Sequence, residues 1–142
     1  MRLALKEAQK AYDLDEVPVG AIIVQGSKVI SASFNQVISH NAVTSHAEIN
    51  AIILASRKLG NYRLIDCDIY VTLEPCHMCA KAIVDARVKN LFFGASEPKT
   101  GVCGSRMNLN EENFFNHKIS ITSGILEKES SELLKLFFKS RR

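Results

Sequence analysis

Two apolar segments rich in β-forming residues lie on either side of a short helical segment in the middle of this chain, and this alternation constrains the fold most strongly. Residues 67–73 predict a strand, residues 76–86 a helix, and residues 90–94 a second strand. Strands that alternate with helices in this way are typical of a sheet with parallel members and with helices on its faces. We therefore expect an α/β fold.

The remaining segments supply further helices and strands. Apolar spacing predicts helices over residues 2–14, 47–59 and 127–139. Strands are predicted over residues 17–24, 28–35 and 118–122, the first two joined as a hairpin by the glycine-containing turn 25–27. Residues 36–45 and 95–117 are predicted to be loops. Because the chain has 142 residues and no internal repeat, we expect one domain spanning residues 1–142.

Composition excludes several classes of protein. With 46% hydrophobic residues and 18 bases against 15 acids, the chain is not disordered, collagenous or a small disulfide-rich protein. No apolar run approaches the about 20 residues of a membrane helix, and Arg2, Lys6 and Glu7 break what would be the core of a secretory signal. We expect a cytoplasmic protein with no membrane partner. Its four cysteines are better explained by metal binding or free thiols than by disulfides.

Two short motifs at predicted helix starts carry the residue types of a metal site. They are His46-Ala47-Glu48 and Pro75-Cys76-His77-Met78-Cys79. Two cysteines three positions apart at a helix N-terminus lie about one turn apart, and the helix dipole favours their thiolates. With His46 they make three ligands, and a catalytic zinc site, unlike a structural one, leaves its fourth position open for water. The same ligand set also admits iron.

Glu48 has two possible roles at this site. Two residues from a metal ligand, its carboxylate can accept a proton from an attacking water and return it to the substrate. The spacing Ser45-x-x-Glu48 is also a capping-box pattern, in which Glu48 would satisfy backbone N–H groups. His77 is not expected to be a fourth ligand, because neighbouring helical residues point about 100° apart. The two motifs occur together by chance with a probability below about one in a thousand.

The basic excess of the chain lies at its C-terminus. Four of its 18 bases are in the last eight residues, which leaves 14 bases and 15 acids before them. The bases are Lys135, Lys139, Arg141 and Arg142, and Phe137 and Phe138 lie among them. Bases beside aromatic rings suit a phosphate backbone with a stacked nucleobase. The same pattern also fits a solvated last helical turn with its phenylalanines in the core.

These motifs resemble the zinc-dependent nucleoside and nucleobase deaminases, whose signature is H-x-E followed by P-C-x-x-C. More closely, the chain resembles the bacterial tRNA-specific adenosine deaminases nearly from end to end. The segments that carry this resemblance are 16–21, 44–49, 61–66, 71–76, 99–101 and 137–138.

The resemblance implies a three-layer α/β/α cytidine-deaminase-like fold, with about five strands in a mixed sheet and helices on both faces. It implies one Zn²⁺ per subunit held by His46, Cys76 and Cys79, and Glu48 as the proton shuttle. It further implies a homodimer that converts the wobble adenosine of a tRNA anticodon stem-loop to inosine. Substrate-binding positions implied by the family are Asn35, the backbone N–H of Ala47, Phe137, Phe138, Lys139 and Arg141.

Two alternatives share parts of this signature. A zinc-dependent deaminase of a free base or nucleotide, such as cytosine, guanine or dCMP, would have the same metal ligands. A noncatalytic, zinc-stabilised RNA-binding module would use Glu48 only as a cap. The chain also departs from the family at 42–43, with Ala-Val where Asp-Pro is common, and at 97–98, with Glu-Pro where Asp-Ala is frequent. We expect these departures to change loop rigidity and nucleotide preference.

Overall fold

A computed structural model describes residues 1–113 and 115–142, and its centre is a five-stranded mixed sheet. The strands are β1 (Gly20–Gln25), β2 (Lys28–Phe34), β3 (Cys67–Leu73), β4 (Asn90–Ala95) and β5 (Ser120–Thr122). Their order in the sheet is β2-β1-β3-β4-β5. β1 is antiparallel to β2 and β3, whereas β3, β4 and β5 run parallel. The predicted mixed sheet is confirmed.

Within the described residues, four α-helices cover the two faces of this sheet. They are α1 (Arg2–Asp13), α2 (Ala47–Leu59), α3 (His77–Asp85) and α4 (Glu127–Lys139). α1 and α4 contact each other and cover one face, while α2 packs on β1 and β2 from the other face with α3 beside it. The predicted three-layer α/β/α arrangement is therefore confirmed. None of the helices formed by residues 1–113 and 115–142 is long and apolar enough to cross a membrane.

The main core lies between the sheet and α2. Buried alanines at 47, 51 and 55 let this helix approach the sheet closely, where they pack with Ile23, Ile69 and Val71. Burial of each such Ile or Val contributes about 1.5–3 kcal/mol. Ser31 Oγ in β2 also donates a hydrogen bond of 2.8 Å to the carbonyl of Ala51. These contacts fix the position of the N-terminus of α2, where the functional residues begin.

On the opposite face, α1 lies so close to β1 that only glycine fits at the contact. A Cβ on Gly20 would come within 2.0 Å of the Ala4 carbonyl oxygen and 2.5 Å of the Ala8 nitrogen. Because Ala4 and Ala8 are themselves small and fully buried, helix and strand meet almost backbone to backbone. Gly20 therefore sets the distance between these two layers.

The first strand begins later than the sequence predicts. Apolar residues at 17–19 extend the strand pattern, but β1 starts at Gly20. Pro18 has no N–H to donate to a neighbouring strand, and the Val19 N–H bonds to the Val17 carbonyl at 2.8 Å. Residues 17 and 19 line a cavity instead of extending the sheet.

The other boundaries differ by only a few residues. The helix predicted over residues 76–86 spans His77–Asp85, with Cys76 and Ala86 as its caps. The strand predicted over residues 118–122 is shorter, Ser120–Thr122. The long loop predicted over residues 95–117 contains a 3₁₀ turn, Leu109–Glu111, and an isolated β-bridge between Cys103 and Asn108. Phe114, within that loop, lies outside the described residues.

Candidate active site

Three side chains that could bind a metal ion meet where two helices begin. His46 is the N-cap of α2, Cys76 is the N-cap of α3, and Cys79 lies in the first turn of α3. α2 and α3 contact each other, and the distances between His46 and the two cysteines place their N-termini side by side. The His46 Nδ1 atom lies 3.4 Å from Cys79 Sγ and 3.7 Å from Cys76 Sγ. The sequence motifs are thus brought together as one cluster.

The spacing of these donor atoms fits a single tetrahedral metal ion. All three lie within 4.8 Å of one another. A nitrogen and a sulfur bound at about 2.1 and 2.3 Å from one ion would lie about 3.6 Å apart, close to both observed N–S distances. Within the described residues His77 is not part of the cluster, and its side chain is exposed. The three residues could therefore hold a metal ion with one position left open.

The protonation of the two thiols is strongly coupled. A hydrogen bond from the Cys79 thiol, assisted by one from His46, lowers the pKa of Cys76 to about 3. The same bond and burial raise the pKa of Cys79. Cys76 in turn raises the pKa of His46 through its hydrogen bond. The cluster thus already stabilises one thiolate, the form that binds soft and borderline metals.

Glu48 is buried beside this cluster and does not cap the helix as a capping box would. Its side chain is only 4% exposed, and burial raises its pKa to about 7. The N-cap of α2 is His46 and not Ser45, and the His46 side chain makes no cap hydrogen bond. Ser45 Oγ instead bonds to Asn50 Oδ1 at 3.0 Å. A carboxyl group with a pKa near neutrality is suited to accepting and returning a proton.

His46, Cys76 and Glu48 line a cavity of about 350 Å³, a size typical of sites for small molecules. Asn35 follows β2 directly, is 7% exposed and lines the cavity, as does Ala47. As the first residue of α2, Ala47 carries an N–H that an α-helix leaves without an internal acceptor. One wall is apolar and consists of Val17, Val19, Val37, Ile38 and Leu73. The cavity can therefore enclose a flat apolar ring and offer polar contacts at one end.

The sequence did not predict a role for Glu16, which ties one rim of the cavity together. Its carboxylate, 1% exposed, accepts bonds from Ser39 N–H at 2.7 Å, Ser39 Oγ at 2.8 Å and Ile38 N–H at 3.2 Å. Asn35 Nδ2 lies 3.4 Å from the same carboxylate. Burial alone would raise the pKa of Glu16, but the bonds from Ser39 and Ile38 lower it below its ordinary value. The available signal was its position at the start of segment 16–21, which carries part of the family resemblance.

The C-terminal segment fits parts of both interpretations, a nucleic-acid-binding surface and a solvated helix end with its phenylalanines in the core. Phe137 is 3% exposed and packs edge-on against Tyr12 with ring centres 5.9 Å apart, whereas Phe138 is 49% exposed. Arg141 lies 3.5 Å above the Phe137 ring and forms an ion pair of 2.6 Å with Asp15. The predictions that these residues bind substrate stay predictions, and a contact from Phe137 would require its ring to become accessible.

A basic groove lies next to the cavity. Its lining residues are Glu97, Lys99, Leu134, Lys135, Phe138, Lys139, Arg141 and Arg142. Glu97 also lines the cavity, so the two features adjoin. Among the segments that depart from the family pattern, 97–98 thus lies at the boundary between cavity and groove. In the second departing segment, residues 42–43, Val43 is 81% exposed and the Ala42 N–H bonds to the Val37 carbonyl at 3.1 Å.

Comparison with known proteins identifies the family. A family model for MafB19-like deaminases matches residues 1–142. A tRNA-specific adenosine deaminase of Haemophilus influenzae is 46% identical over 143 residues, covering all of this chain and 83% of that protein. The chain belongs to the tRNA-specific adenosine deaminase family.

Solved structures of relatives agree with this assignment. A structure from a study of A-to-I editing by tRNA:A34 deaminases at the wobble position of transfer RNA superposes with a TM-score of 0.92. That chain is 46% identical, and the match covers 94% of this chain and 97% of that one. A guanine deaminase from Bacillus subtilis is more distant, with 30% identity and a TM-score of 0.66 over 99% of this chain and 90% of that one. Among these relatives, the chain is more similar to the tRNA-specific deaminases than to the guanine deaminase.

Proposed function

We propose that this protein is a tRNA-specific adenosine deaminase that hydrolyses the wobble adenosine of an anticodon stem-loop to inosine. The observation that carries the proposal is the buried Glu48 beside the His46, Cys76 and Cys79 cluster, in a cavity that adjoins a basic groove. Full-length similarity to tRNA-specific adenosine deaminases supports tRNA as the substrate. A tRNA substrate also favours a cytoplasmic location.

We propose zinc, one ion per subunit, as the metal held by the three donors. Two sulfur donors and one imidazole nitrogen are ligands that zinc prefers, and their spacing fits its tetrahedral geometry. Bound there, zinc would polarise a water molecule in the open position and make it a better nucleophile. Metal analysis of purified protein distinguishes zinc from iron.

The protein's own residues then move the protons. Glu48 accepts a proton from the attacking water and delivers it to N1 of the adenine ring, which makes C6 more electrophilic. After the C6–O bond forms, Glu48 takes the proton of the new C6 hydroxyl and passes it to the amine, while the C6 carbonyl forms. The C6–N6 bond breaks, and ammonia and inosine leave. A pKa near 7 allows Glu48 to perform both transfers near neutral pH.

Other residues bind and orient the nucleoside. A loop base is unstacked at lower cost than a paired one, so it can enter the enclosed cavity. We propose that Asn35 and the Ala47 N–H hold the flipped nucleoside, and that the apolar wall packs on the purine ring. Lys139 and its basic neighbours in the groove would bind the phosphates that flank it.

We also propose that the protein forms a homodimer through the outer face of α2. The inner face of this helix is buried, but Ile53, Leu54 and Leu59 are 42%, 47% and 36% exposed, and Tyr62 and Ile65 just beyond are 69% and 51% exposed. A second copy covering these side chains would remove them from water. Sedimentation should show a dimer for the wild type and a monomer for Leu54→Lys. An unchanged mass would contradict this interface.

A panel of substrates tests the proposed function. We expect the zinc-loaded enzyme to convert an anticodon stem-loop and to leave free cytosine, guanine, adenosine and dCMP unchanged. Activity confined to the free compounds would instead support a deaminase of bases or nucleotides, as in the guanine deaminase relative. Tight RNA binding with no product from any substrate would support the noncatalytic module.

A further inference from the structure

Glu74 is a buried acid that takes no part in the proposed chemistry. It lies between the end of β3 and Pro75, two residues before the metal ligand Cys76, and is 3% exposed. Among the described residues it makes no ion pair, so its charge is not balanced by a nearby base. A buried carboxylate is costly unless hydrogen bonds satisfy both oxygens.

Hydrogen-bond donors of the loop formed by residues 97–105 satisfy both oxygens of this carboxylate. Oε1 accepts from the Cys103 N–H at 3.0 Å and the Ser105 N–H at 2.9 Å. Oε2 accepts from the Glu97 N–H at 2.9 Å and from the Ser105 hydroxyl. Both ends of the loop therefore converge on one side chain.

Two further contacts hold the loop against the same position. The Glu74 N–H bonds to the Ala95 carbonyl at 2.8 Å, and the Val102 N–H bonds to the Pro75 carbonyl at 3.1 Å. Gly101 lies directly on the carboxylate, because a Cβ there would come within 2.4 Å of Glu74 Cδ. The loop has no room to shift inward while Glu74 occupies this place.

The loop that Glu74 holds forms one side of the substrate cavity. Glu97 and Thr100 line the cavity, and Glu97 and Lys99 line the adjoining basic groove. We propose that Glu74 is a positioning residue, whose carboxylate fixes residues 97–105 in the conformation that binds RNA beside the reacting base. This inference rests on the proposed function for its choice of RNA as ligand.

The substitution Glu74→Gln tests this inference. Glutamine keeps the size of the side chain but places an NH₂ group against a backbone N–H donor, so at least one of the four bonds is lost. We expect KM for the anticodon stem-loop to rise at least tenfold, kcat to stay within about threefold, and one zinc per chain to remain. Hydrogen exchange at the Glu97 amide should become faster.

The matched control is the same change in a buried acid away from the site. Glu7 in α1 is 8% exposed and pairs with Lys10 at 2.6 Å. We expect Glu7→Gln to lower stability and leave KM unchanged. A KM for Glu74→Gln within twofold of the wild type, with or without faster exchange, would overturn the inference.

The test also covers a Glu74→Gln variant that does not fold and a wild type that does not act on the stem-loop. If Glu74→Gln does not fold, Ser105→Ala removes one donor from an exposed residue, and we expect KM to rise about threefold; an unchanged KM would contradict the inference. If the wild type does not act on the stem-loop, the proposed function fails separately. The dissociation constant for the stem-loop then replaces KM, with the same tenfold criterion, and a wild type that does not bind the stem-loop would overturn the inference.

Discussion

At the scale of single residues, Glu48 distinguishes an enzyme from a binding module. Its carboxyl group is 4% exposed with a pKa near 7 and makes no helix cap of the capping-box kind. We expect Glu48→Gln to lower kcat by roughly 10²–10⁴-fold, because a proton shuttle is lost. The variant should keep its metal, since Glu48 is outside the donor cluster. Turnover and zinc content are the measurements, and normal turnover would contradict the proposed role.

Lys139 and Arg141 should respond differently to neutralisation. Arg141 is held by Asp15 and stacks on Phe137, whereas Lys139 forms no ion pair within residues 1–113 and 115–142. We expect Lys139→Ala to reduce the salt dependence of RNA binding by about one unit of slope with stability within about 0.5 kcal/mol.

Arg141→Ala should lower the free energy of unfolding by about 1 kcal/mol and change the slope less. Binding titrations at several salt concentrations and urea unfolding measure both effects. Equal slopes and equal stabilities for the two variants would show that the Asp15 contact has no consequence.

At the scale of elements, the loop of residues 36–45 is held to the fold by one ionised side chain. Because the pKa of Glu16 is lower in the folded protein than its ordinary value of 4.5, ionised Glu16 stabilises the fold. That contribution is complete above about pH 5 and is lost as the pH falls through the folded pKa. The stability difference between wild type and Glu16→Gln should therefore be constant near neutrality and shrink below pH 4.5, as followed by urea unfolding. A difference independent of pH would contradict this account.

The elements themselves could be predicted from sequence, but the contacts between loops could not. Within the described residues, each α-helix and each strand could be predicted from the local pattern of apolar and β-forming residues, because that pattern sets each of these elements. An acid in a segment next to a strand looks the same in sequence whether it is solvated or buried. Glu16 and Glu74 acquire their roles only when loops distant in the chain fold over them.

At the scale of the whole molecule, the cluster of His46, Cys76 and Cys79 joins two elements that are far apart in sequence. His46 begins α2 and Cys76 begins α3, so a bound ion links their N-termini. We expect chelation to abolish activity and to lower Tm by about 5 °C or more, and zinc to restore both. Cys67→Ala should keep this chelator response because Cys67 lies outside the cluster, whereas Cys76→Ala should lose it. A Tm insensitive to chelation would contradict a link through metal.

The sequence predicts only those residues of the candidate site that are recognisable by their chemical type and spacing. Three ligands and a carboxylate at helix starts are recognisable by residue type and spacing, and the structure brings all four together. The orientation of α4 could not be predicted in the same way. Phe137 and Phe138 are neighbours of the same type, yet packing against Tyr12 buries only Phe137.

The central claim is that a metal-activated site in this cavity deaminates adenosine at one position of a tRNA. The most direct test uses two synthetic anticodon stem-loops that differ only in the wobble base, adenosine in one and cytidine in the other. After incubation with zinc-loaded protein, nucleoside mass spectrometry should find inosine from the first and no uridine from the second. Uridine from the cytidine stem-loop, or no inosine from protein with one zinc per chain, would contradict the claim.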